Sequence, residues 1–86
     1  MRLTDKTPRY SMGHKFFEGK YKKCKCTISY SANKGFWYFY CSNENDTIRY
    51  NSLWDNIIYT TKESCHDACV QYISNALKGD INDSNR

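Results

Sequence analysis

The chain has 86 residues, with 13 Lys and Arg against 9 Asp and Glu, a length that allows one small domain and excludes a second. Ile, Leu, Val and Phe number only 14, yet eight Tyr, four Phe and two Trp supply large rings that bury about 150–250 Å² each, so a small sheet-based core is expected. No apolar run approaches the roughly 18 residues of a membrane span, and the first residues lack the apolar centre of a secretory signal, so the chain reads as a soluble, cytoplasmic protein.

Residues 1–15 show no period of two or of 3.6 and contain the single proline, Pro8, and the segment Ser11-Met12-Gly13. They are expected to form a flexible basic arm that orders on a partner. Charge is uneven: residues 1–26 carry a net +6, and the other 60 residues sum to −2. A basic amino-terminal third of this kind docks on nucleic acid or on an acidic protein surface, or serves as a guarded strand edge.

A single α+β domain is expected over residues 16–79. From Lys20 a strand pattern begins, in which Cys24, Cys26, Ile28 and Tyr30 alternate with Lys23, Lys25, Thr27 and Ser29, one face apolar and the other basic or hydroxylated. Ser31-Ala32-Asn33-Lys34-Gly35 supplies a turn. Phe36 to Cys41 follows as a strand that is apolar on both faces, expected at the centre of the sheet. After the turn Ser42 to Asp46, Thr47 to Asn51 reads as a half-buried strand, and the cluster Leu53, Trp54, Ile57, Ile58 and Tyr59 as a hairpin leading to a short fourth strand. Thr60 and Glu63 fit a capping box. Cys65, Ala68, Cys69, Tyr72, Ile73, Ala76 and Leu77 then recur as one apolar helical stripe, with the exit at Gly79 and a polar tail over 80–86. The predicted architecture is a meander of three to four antiparallel strands with one carboxy-terminal amphipathic helix packed on the sheet.

Five cysteines without paired C-x-x-C knuckles, four of them on predicted apolar faces, read as reduced thiols acting as small hydrophobes and not as a zinc site. No G-x-S-x-G, P-loop or H-E-x-x-H motif is present. The neighbours His66 and Asp67 are expected to point about 100° apart on the helix, with His66 exposed. No enzymatic activity, cofactor or metal is predicted.

Lys34-Gly35-Phe36-Trp37-Tyr38-Phe39 resembles the first ribonucleoprotein motif of the RNA-recognition fold, matching at Lys34, Gly35, Phe36 and Tyr38, with Trp37 and Cys41 departing from it. The order of three strands and a helix over roughly residues 20 to 78 resembles the latter part of a double-stranded-RNA-binding domain, although one lysine beside two acids at the helix start does not match that family's phosphate grip. Asn, Lys, Ile and Tyr together make 31 of the 86 residues, a bias typical of A+T-rich genomes. With the small size, aromatic-rich sheet and charged arm, this looks like the small bacteriophage proteins that disable host defences, anti-CRISPR proteins among them. That resemblance implies a non-enzymatic inhibitor acting in the bacterial cytoplasm on a CRISPR effector with its guide RNA, the RNA-targeting type VI-B effectors fitting the residue bias. The expected contacts are Trp37, Tyr38, Tyr40 and Trp54, since Trp, Tyr and Arg dominate interface energetics, with Arg49 and Lys20, Lys22, Lys23 and Lys25 at the rim. The alternative is a stand-alone single-strand or double-stranded RNA-binding module using the same lysines.

Overall fold

The computed structural model describes residues 1–84, with side chains described as far as Lys78. Strands β1 (Thr4–Asp5), β2 (Lys15–Tyr21), β3 (Cys24–Ser31), β4 (Phe36–Asn43) and β5 (Arg49–Asn51) form an antiparallel meander in the order β1-β2-β3-β4-β5, and helix α1 (Lys62–Ser84) packs on β3 and β4. The expected α+β architecture is present, with five strands in place of three to four.

The added strands come from the amino-terminal segment. Residues 1–15 are not a loose arm: Thr4 and Asp5 pair with Glu18 and Phe17, the Phe16 N–H donates to Thr7 Oγ1 at 3.1 Å, and the Ala32 N–H donates to His14 Nδ1 at 3.1 Å. Gly19 makes this possible. A Cβ there would stand 2.7 Å from the Arg2 carbonyl oxygen and 2.8 Å from the Met1 side chain, so only glycine lets residues 1–3 cross β2 this closely. Met1 and Leu3 then pack against the core, and His66 Nε2 donates to the Met1 carbonyl at 2.8 Å. His66 is therefore half-buried and not exposed.

The core is built on small side chains. Among the described residues all five cysteines are unpaired and buried, together with Ile28, Phe39, Ile48 and Ile73. Cys26 and Cys41 stand opposite each other on β3 and β4. The Cys69 thiol from α1 is buried with both, and the neighbouring Cys26 and Cys41 thiols together with burial push its pKa upward. Compact thiols at the contact let the helix sit close to the sheet. Beside them Phe39 is ringed by Tyr50, Tyr59 and Tyr72 at centroid distances of 5.8, 6.0 and 6.3 Å, and Tyr50 stacks on Tyr72 at 4.3 Å.

Three boundaries differ from expectation. The segment after β5 is a 3-10 turn, Ser52–Asp55, closed by left-handed Asn56 at φ 58°, and not a hairpin to a further strand, Tyr59 keeping only an isolated bridge to Trp37. Ser52 Oγ takes the Phe39 N–H at 3.1 Å, and Tyr59 exchanges two backbone bonds with Trp37 at 2.8 and 2.9 Å, so the donors of β4 are satisfied where β5 stops. Because Tyr59 is pinned in this way, Thr60 stays in the connector. The cap falls to Thr61, whose Oγ1 accepts from the Ser64 N–H at 3.1 Å. The helix then continues through Gly79 to Ser84, since glycine costs only about 1 kcal/mol in a helix interior. The predicted polar tail is thus helical as far as Ser84, and its last residues, 85–86, lie outside the described residues.

Cys69→Ala should lower unfolding free energy by about 1–3 kcal/mol in urea titrations, from lost transfer energy and a cavity. Burial pushes the Cys65 thiol up from 9.0 to about 12. Its folded pKa is raised, so its contribution is complete below pH 9.0 and is lost as pH climbs toward 12. Urea midpoints should fall across that window, and Cys65→Ala should flatten the decline.

Candidate functional site

Pleating divides β2 to β5 into two faces. Under the helix lie Phe17 and Tyr21, the β3 thiols with Ile28, then Trp37, Phe39 and Cys41, and finally Tyr50. The opposite face has no covering layer among the described residues. It carries Phe16, Glu18 and Lys20 from β2, Lys25, Thr27 and Ser29 from β3, Phe36, Tyr38, Tyr40 and Ser42 from β4, and Arg49 from β5.

Register sorts this open face into bands. Phe16, Ser29 and Tyr38 are directly opposite one another, with Ser29 only 3% exposed. Phe36 meets Tyr38 edge to face at 6.3 Å. Thr27 and Tyr40 form the next row, with Glu18 beside them. Lys20, Lys25, Ser42 and Arg49 form the last. At this cationic end an open trough of about 610 Å³ is bordered by Arg2, Lys6, Lys20, Lys23 and Lys25, with Glu18 and Glu44 as its acids. Glu18 Oε1 pairs with Lys25 Nζ at 3.0 Å.

The lysines are placed against the preferences of the fold. Tyr21 pairs with Cys24, so Lys22 and Lys23 are the two central residues of a hairpin, at φ 48° and 67°. Such turns favour Asn-Gly, and a non-glycine residue held in the left-handed region costs about 1–3 kcal/mol. Lys20 directly faces Lys25, and like charges opposite each other destabilise a sheet. Charge is concentrated here although stability would be served by other residues.

Of the predicted contact residues, Lys20, Lys25, Tyr38, Tyr40 and Arg49 converge on the open face, and Lys23 borders the trough. Lys22 turns away, its Nζ lying 5.5 Å from the Tyr21 ring centroid. Trp37 belongs to the helix side, between Phe17 at 6.0 Å and Tyr30 at 5.1 Å, because its parity on β4 is that of Phe39. Trp54 is on the 3-10 turn, edge-on to Tyr50 at 6.1 Å, and like Leu53, Ile57 and Ile58 it is exposed in the segment that follows β5. Phe16 and Phe36 were not among the expected contacts. The doublet Phe16-Phe17 held the signal, since a strand must place one of two neighbours on each face.

His66 and Asp67 do meet, with Nδ1 2.9 Å from Oδ1, contrary to the expected divergence. The other ring nitrogen is held by Met1, so the pair fastens the amino-terminal segment to α1. Among the described residues no cluster of three or more His, Cys, Asp or Glu side chains is arranged to hold a metal, and no helix is long and apolar enough to cross a membrane. No family model, curated protein or solved structure matches this chain.

Replacing the turn by Lys22→Asn with Lys23→Gly should raise unfolding free energy by about 1 kcal/mol or more, by relieving left-handed strain and charge repulsion. The same variant should bind a polyanion more weakly, as read by the salt at which it elutes from a heparin column.

Proposed function

We propose that the protein is a non-enzymatic inhibitor of an RNA-guided CRISPR effector nuclease, and that it takes hold of the guide RNA with the open face of its sheet. The observation that carries this reading is the banding of that face, with rings at one end and Lys20, Lys25 and Arg49 at the other. Cations neutralise phosphates and release counterions, while aromatic rings stack on bases.

A second feature favours an RNA-loaded protein over RNA alone. Leu53, Trp54, Ile57 and Ile58 are each exposed in the short segment that follows β5, apolar side chains suited to protein contact and of no use to a polyanion. A ribonucleoprotein offers both chemistries at once. Occupation of guide RNA by a rigid sheet would disturb guide loading or keep target RNA from pairing. The small-phage-protein resemblance makes type VI-B effectors the first to test.

The test is a pull-down of a purified effector, with and without guide RNA, at about 50 and 200 mM salt, paired with a target-cleavage assay. The loaded effector should be retained, less so at the higher salt, and cleavage should stop at near-stoichiometric inhibitor. Guide RNA bound as tightly without effector would replace this reading by a stand-alone RNA-binding module. Equal retention of the empty effector would show that guide RNA is not the contact.

A further inference from the structure

We infer that the RNA held by the open face is a single-stranded segment whose backbone crosses the sheet along the row Lys20, Lys25 and Arg49, with its bases turned toward Tyr40, Tyr38 and Phe16. This rests on the reading that the face binds RNA, and adds which form of RNA it binds and in which orientation.

The register supplies the geometry. Lys20, Lys25, Ser42 and Arg49 are aligned across four neighbouring strands, a line about 14 Å long at roughly 4.8 Å per strand. Moving along the strands by two residues, about 7 Å, the row becomes Glu18, Thr27, Tyr40 and Asn51. Two residues farther stand Phe16 and Tyr38, on either side of Ser29. Charge and rings are therefore segregated along the strand axis, with no ring in the cationic row and no cation in the Phe16–Ser29–Tyr38 row. A chain lying along the cationic row has its bases displaced to one side, where the rings begin.

The acid on the face fits this arrangement. Glu18 is tied to Lys25 at 3.0 Å, which removes much of its repulsion for a passing phosphate. At the end of the row the trough between Arg2, Lys6 and Lys23 gives the backbone a recess.

A duplex would leave the ring band unused. Its base faces are stacked inside the helix, and it shows a protein only phosphates, sugars and groove edges. Stacking on Tyr40, Tyr38 and Phe16 requires bases that are splayed and unpaired. The cations alone would suit either form; the rings select one.

Fluorescence anisotropy with the full chain separates the outcomes, using labelled oligouridine and a blunt RNA duplex of equal length at about 50 mM salt. The single strand should bind at least about tenfold more tightly than the duplex. Tyr38→Leu, which keeps an apolar strand residue and should keep the wild-type circular dichroism spectrum, should weaken single-strand binding about fivefold or more and leave the duplex unchanged. Lys20→Gln with Arg49→Gln should weaken both forms alike and reduce the salt slope. Duplex binding as tight as single-strand binding, or indifference of the single strand to Tyr38→Leu, overturns the inference while leaving RNA binding intact. Failure of both RNAs to bind overturns the inference together with the RNA reading on which it rests.

Discussion

Helix α1 seals the thiol face of β3 and β4, and the pleat then turns every second residue of the same strands toward solvent. Among the described residues there is one α-helix, and it covers one face of the sheet. The core lies wholly between α1 and the sheet, with small cysteine side chains at the point of closest approach and a ring of tyrosines around Phe39 beside it. What the opposite face carries is consequently free of the core's demands. Phe16, Phe36, Tyr38 and Tyr40 stand there half-buried, beside Lys20, Lys25 and Arg49.

Two departures from local preference mark that face. The hairpin joining β2 to β3 is closed by two left-handed lysines, and the pair next to its closing Tyr21–Cys24 pair sets lysine against lysine. Exposed lysines return little packing, so the fold gains nothing from them that a neutral turn would not supply. Conflict between local preference and residue choice is where function is expected to show in a sequence. The His66 contacts, by contrast, are explained by structure alone: they fasten residues 1–3 against the helix, and Gly19 leaves the space in which those residues lie.

Periodic segments were legible in the sequence. Cys24 to Tyr30 alternates cleanly, and the stripe from Cys65 to Leu77 repeats through three turns, so both elements and the packing of one on the other could be read directly. Phe36 to Cys41 was legible as a strand and not as a pair of faces. With apolar residues at consecutive positions, alternation assigns neither Trp37 nor Tyr38 to the core, and only the pairing of Cys26 with Cys41 decides between them. The amino-terminal strand was hidden for a different reason. Two residues pairing with β2 leave no period, and the arrangement depends on a glycine whose role is visible only once the Arg2 carbonyl is seen above it. Trp54 was expected at the contact on residue type alone, and its position is that of a 3-10 turn opened by Asn51 and closed by Asn56.

Contact between the uncovered face of the sheet and RNA, as proposed above, is open to direct measurement. Ultraviolet crosslinking of the protein to an effector loaded with guide RNA, followed by mass spectrometric mapping of nucleotide adducts, tests it at the level of single rings. Adducts should fall on Phe16, Tyr38 and Tyr40, with Trp37 and Tyr72 on the helix side unmodified. Adducts confined to Trp54, or none on the open face from a complex shown to be intact, would contradict the account.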